Sequence, residues 1–260
     1  MDALRRILSP DRSRDTCGAG LPLLWGGIAL IVLAIVLAAT CGSGPAVLLA
    51  ALAPYLVLAG IVHQKIAVHH NHLGFGPANA VTLARAILNC VFAGLLVDAA
   101  LQGGSDLQHL GWFLFAITAL SLSLDGIDGR LARRLKLESR FGARFDIEVD
   151  ALLLTLLAGT ALLLGKAGAW VLAIGGFYYA FLVARQFSPV LRRRLPASMR
   201  RKVVCALQGT ALLPLLTPFV VPPLSDWIAA LALLALIWSF TTDLVWLVRE
   251  RPAARQGAYA

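Results

Sequence analysis

Residues 125–150 read DGIDGRLARRLKLESRFGARFDIEVD, and the apolar runs on either side of that segment decide the fold. Upstream, residues 110–124 carry no charged side chain, and downstream the same holds for residues 151–165. A membrane-crossing helix needs roughly 20 mostly apolar residues, so each run, taken with the nearer part of the charged segment, is long enough to cross. The same test predicts eight spans along the chain, at about residues 21–41, 45–62, 79–101, 110–127, 144–164, 168–187, 203–221 and 226–248. Gly42-Ser43-Gly44-Pro45, Gly74 to Pro77, Gly103-Gly104 and Pro222-Pro223 punctuate them. The run Leu21–Thr40 is too far from the start to be read as a cleaved signal. The expected class is therefore an all-α, polytopic membrane helical bundle.

Composition agrees. Of 260 residues, 59% are hydrophobic and 14% charged, against about a quarter charged in soluble domains. The net charge of +9 does not indicate nucleic acid, because Lys and Arg fall in short clusters between apolar runs. These are Arg5 to Arg14, Arg130 to Arg144, Arg192 to Lys202, and Arg249 to Arg255. Eight spans put both termini on one side. With that side cytoplasmic, every Lys and Arg except Lys166 falls on or near the cytoplasmic side, as the positive-inside rule expects beside anionic lipid. Cys17, Cys41, Cys90 and Cys205 have no metal-ligand spacing, and no disulfide framework is read.

A charge at a span centre costs about 2.5–3.5 kcal/mol on insertion scales, so acids within spans mark function. Asp125 and Asp128 close the fourth predicted span; Asp146, Glu148 and Asp150 open the fifth. The first pair is three residues apart and Asp146 and Asp150 are four apart, so each pair shares a helix face. Four carboxylates facing one another repel unless a cation lies between them. Hard oxygen donors suit magnesium or manganese, and two such ions would bridge a diphosphate. Gly126, Gly129 and Gly142 leave room for a close ligand, and Arg133 offers a planar fork to phosphate oxygens. A carboxylate not fully engaged by metal, such as Asp150, could take the proton of an attacking hydroxyl. The bland alternative, interfacial acids answered by Arg130, Arg133, Arg134 and Arg144, does not explain four aspartates interleaved with glycines at two helical spacings.

The order of these residues resembles the signature of the CDP-alcohol phosphatidyltransferase family: Asp, two residues, Asp-Gly, two residues, Ala-Arg, eight residues, Gly, three residues, Asp, three residues, Asp. Asp125, Asp128-Gly129, Ala132-Arg133, Gly142, Asp146 and Asp150 fill every defining position. The resemblance implies metal binding by Asp125, Asp128 and Asp146, with Asp150 shared between metal and general base. It assigns Gly129, Arg133 and Gly142 to the CDP part of the donor. Members often open their first core helix with Pro-Asn, Thr three residues on, and Arg three further. Asn79, Thr82 and Arg85 keep that spacing, although Pro77 precedes Asn79 by two residues; a nucleotide or diphosphate role is implied for all three. Taken bare, Asn79 also reads as a helix N-cap and Arg85 as a snorkelling cation.

The implied reaction moves a phosphatidyl group from CDP-diacylglycerol to an alcohol, with Mg2+ or Mn2+ and release of CMP. The family core of six spans would cover residues 75–248, behind an N-terminal segment 1–74 with two extra helices and before a tail 249–260. A homodimer in a bacterial inner membrane, both termini cytoplasmic, is expected, with membrane lipids as surroundings and no nucleic acid as partner. The acceptor is less legible. Relatives using glycerol phosphate follow the last Asp with Lys, where Ala151 stands here, and carry two lysines two apart, then Thr and Gln. Lys202 and Gln208 fit that pattern, while Val204 and Cys205 depart from it. Arg185 and Lys202 are candidates for an acceptor phosphate. His63, His69, His70 and His72 read as a hydrated linker, and Trp25, Trp112, Trp170 and Trp227 as interface anchors. Rival readings are an ion-coupled transporter and an inactive assembly subunit. A transporter expects carboxylates near the midplane and an internal repeat.

Overall fold

The computed structural model describes residues 12–69, 75–103, 107–135, 140–188, 190–193 and 198–249; within these helices, the side chains of 12–19, 64–69, 107–109, Asp128, 130–135 and Arg140 are not described. Every described element is a helix: α1 (Arg12–Cys41), α2 (Ala46–His69), α3 (Pro77–Leu101), α4 (Leu107–Leu135), α5 (Arg140–Leu163), α6 (Ala173–Phe187), α7 (Met199–Leu212) and α8 (Leu224–Arg249). Short 3-10 turns, Ala169–Leu172 and Leu213–Leu216, precede α6 and extend α7. Six described helices carry a stretch long and apolar enough to cross a membrane: Gly20–Cys41, Ala46–His63, Pro77–Leu101, Leu110–Ile127, Ala169–Phe187 and Leu224–Arg249. The predicted spans 144–164 and 203–221 are not among them. Three acids occupy the first half of α5, and α7 gives way to its 3-10 turn after Leu212.

The chain divides into two compact units, Met1–Leu156 and Leu157–Ala260. In the first, α3 is the central element and packs on α1, α2 and α4. Its start is set locally. Gly76 has φ of +77°, which favours glycine, and Pro77 supplies a preset φ at the first helical turn. Gly76, not Asn79, is therefore the N-cap. The helix ends at Leu101 before Gly103, whose φ is +81°. At Gly94 a Cβ would lie 2.4 Å from the Val47 carbonyl oxygen. The backbones of α2 and α3 touch there, in the small-residue manner of membrane helix pairs. Tyr55 Oη donates to the Leu23 carbonyl at 2.5 Å and ties α2 to α1.

In the second unit α8 packs on both α6 and α7. Phe177 and Phe181 of α6 meet Phe240 of α8 at ring separations of 5.5 and 5.8 Å. Buried Gln208 of α7 donates to the Ala232 carbonyl at 2.8 Å. Lys166 is buried and donates to the carbonyls of Thr217 (3.3 Å) and Val220 (2.6 Å). The one cation that the predicted topology puts opposite the others is thus engaged in packing, and such a residue carries little topological information. Leu24, Trp25, Leu49, Leu56, Leu231 and Leu234 point outward, as expected where the surrounding solvent is hydrocarbon.

Candidate active site

Arg85 lies on α3 two turns from its start and is 0% exposed. A bare guanidinium in that position would be prohibitively costly, so its partners matter. Nη1 stands 3.0 Å from Asp125 of α4 and donates to Asp146 of α5 at 2.5 Å. Nη2 donates to Asp150, one turn further along α5. One side chain therefore gathers acids from two other helices, and the snorkelling reading is excluded. The planar fork suits this task, because it presents several donors in fixed directions.

The acids are not closed off as Arg85 is. Their side chains are 40% (Asp125), 38% (Asp146) and 23% (Asp150) exposed. One oxygen from each of the three can be chosen so that all lie within 4.8 Å of one another. Three hard oxygen donors, mutually close and accessible, fit a divalent ion of the magnesium or manganese type. The guanidinium beside these carboxylates already supplies part of the positive charge that the cluster requires.

Asn79 and Thr82 are buried on the same helix as Arg85. Asn79 Nδ2 donates to the Phe75 carbonyl at 2.5 Å, and Thr82 Oγ1 to the Ala78 carbonyl at 3.2 Å. Gly129 and Gly142 are partly exposed on α4 and α5. A Cβ at Gly126 would meet nothing within 4 Å. Asp128 and Arg133 belong to α4, but their side chains lie outside the described set, as do those of His69, His70 and His72. Arg185 and Lys202 belong to the second unit. Arg185 lies 6.0 Å from the centre of the Phe181 ring, and Lys202 is exposed.

Sequence reasoning missed two polar clusters. Asn89, Ser121 and the Val149 carbonyl form a buried set beside the carboxylates. The available signal was spacing: Asn89 follows Arg85 by four residues, and Ser121 precedes Asp125 by four. In the second unit Asp243 pairs with Arg200 and, at 3.2 Å, with Arg201. Arg200 also lies 5.5 Å from the centre of the Trp238 ring. Arg192 is used too, donating to the carbonyls of Arg185 (2.9 Å) and Gln186 (2.5 Å) at the end of α6. Much of the cluster read as a topology signal is therefore engaged in side-chain pairing and helix capping.

Six helices of membrane-crossing length among the described residues, with an accessible carboxylate cluster carried by α4 and α5 against Arg85 of α3, define an integral membrane protein with an anionic site in its first unit. The sequence model of CDP-alcohol phosphatidyltransferases matches residues 75–239, and the chain belongs to that family. It is accordingly a transferase of phospholipid synthesis. The match begins two residues before α3 and leaves α1 and α2 outside it. No curated relative and no solved structure matches the chain.

Proposed function

We propose that the protein transfers a phosphatidyl group from CDP-diacylglycerol to an alcohol and releases CMP. The observation that carries this reading is the convergence of Asp125, Asp146 and Asp150 on Arg85. Asp125, Asp128 and Asp146 would hold Mg2+ or Mn2+, with Asp150 as a shared ligand. A divalent ion held by these residues would supply positive charge to offset the charge that develops on the leaving group. Gly129, Arg133 and Gly142 receive the CDP part. Arg85, next to the carboxylates, adds a fixed positive charge for the diphosphate, while Asn79 and Thr82 complete the same helix face.

In the chemical step Asp150 accepts the proton of the acceptor hydroxyl. The hydroxyl oxygen bonds to the lipid-side phosphorus as the bond from that phosphorus to CMP breaks. Arg185 and Lys202 are assigned to the acceptor side, and the exposed ammonium of Lys202 is the more available of the two. The core is taken as residues 75–248, working as a homodimer in a bacterial inner membrane with both termini in the cytoplasm.

The test is CMP release by the full-length protein in liposomes with CDP-diacylglycerol and Mg2+ or Mn2+. Serine, inositol, inositol phosphate, glycerol phosphate, choline and phosphatidylglycerol are supplied in turn. Metal-dependent release with one alcohol, lost in Asp150→Asn, supports the reading and names the acceptor. Absence of donor binding would refute it, as would an Asp128→Asn enzyme of normal activity.

A further inference from the structure

Asn89 lies one turn beyond Arg85 on α3, is 0% exposed, and has no role in the chemistry described above. Its Nδ2 donates to the Val149 carbonyl of α5 at 3.1 Å. Its Oδ1 accepts from Ser121 Oγ of α4, also at 3.1 Å, and Ser121 is itself fully buried. A single amide thus bonds the same two helices that send carboxylates to Arg85. The register matches as well. Ser121 stands one turn before Asp125, and Val149 is the residue before Asp150.

An amide can serve both helices because it carries a donor and an acceptor on one rigid plane. Apolar packing among α3, α4 and α5 tolerates small slides. Two directional bonds in a low-dielectric interior do not, since a slip strands buried polar atoms. We infer that Asn89 is a positioning residue that fixes the spacing of α4 and α5, so that Asp125 and Asp150 present their oxygens to one ligand. The inference rests on the proposed metal-dependent reading of the carboxylates.

The test measures Mn2+ affinity of the purified full-length protein without lipid substrate, by electron paramagnetic resonance, beside its thermal stability. Asn89→Leu keeps the branched shape of the side chain and removes both bonds. It is expected to weaken Mn2+ binding per folded molecule by about 10-fold or more, within the range for groups that orient metal ligands. Ser121→Ala removes one bond without leaving a large void, should weaken binding by less, and serves if Asn89→Leu fails to fold. A merely structural role predicts a lower melting temperature with unchanged affinity in the folded fraction, and that result in both variants would overturn the inference. Wild-type protein that binds no Mn2+ would overturn the underlying reading and this inference together. Wild-type binding with unaffected variants overturns the inference alone.

Discussion

The two ends of α3 bury opposite charges and settle them in different ways. Near its C-terminus Asp98 is 3% exposed and accepts from the backbone N–H of Gly44 (2.9 Å) and from Gln102 Nε2 (2.6 Å). Both donors are neutral, and the Gly44 bond ties the α1–α2 connection to α3 just before α2 begins, where a carboxylate also suits the helix dipole. Thirteen residues earlier, about 20 Å along the axis, Arg85 is buried against three carboxylates that keep substantial exposure. At the Asp98 end the carboxylate itself is hidden and matched by neutral donors. At the Arg85 end the carboxylates are gathered but left accessible, the condition of a site awaiting a ligand.

Removing the cation should have the largest effect. Arg85→Met leaves Asp125, Asp146 and Asp150 facing one another, and losing one partner of a buried ion pair costs about 3–5 kcal/mol. A large fall in thermal stability is expected, with Mn2+ restoring part of it by supplying positive charge to the same carboxylates. A stable variant indifferent to Mn2+ would mean that Arg85 is not the counter-ion the geometry makes it. Asp150→Asn should do the reverse. It relieves like-charge crowding, so stability stays near wild type, while CMP release falls on the order of 10²–10⁴-fold as the proton acceptor is lost.

Asp98→Ala should have the opposite profile and a smaller size. It leaves the half-buried Gly44 N–H without its acceptor and removes the bond from the exposed Gln102 amide, costing about 1–3 kcal/mol. CMP release per folded molecule should be unchanged, because nothing at this end faces the carboxylates. A specific loss of turnover without loss of stability would show that the α1–α2 extension acts on the site through α3.

The difference between the ends also explains what the sequence could convey. The acid motif was readable because its information is local: spacings of three and four residues on two predicted helices. That Asn79, Thr82 and Arg85 share a face was readable for the same reason. The counter-ion role of Arg85 was not, since its bonded partners lie 61 and 65 residues away. Asn89, Ser121 and Asp98 were invisible for the same reason; a single polar residue in an apolar run does not name its partner. Eight helices were anticipated and eight are present among the described residues, two of them less uniformly apolar than the rest for physical reasons. The acids at the start of α5 and the early end of α7 both work against a continuous apolar stretch.

The smallest expected effect tests how rigid the Asp98 end is. A Cβ on Gly44 would stand 2.9 Å from Asp98 Oδ1, the far end of a side chain able to rotate, and Gly44 has no left-handed φ to forbid alanine. Gly44→Ala therefore sets a modest contact against the reduced freedom of the unfolded chain, which favours alanine by about 0.4–1 kcal/mol. The net change in stability should fall within about 1 kcal/mol of zero, read from thermal melts in detergent. A loss on the scale of Asp98→Ala would mean that the carboxylate cannot yield. Both ends of α3 would then be fixed frames, and accessibility alone, not adjustability, would separate them.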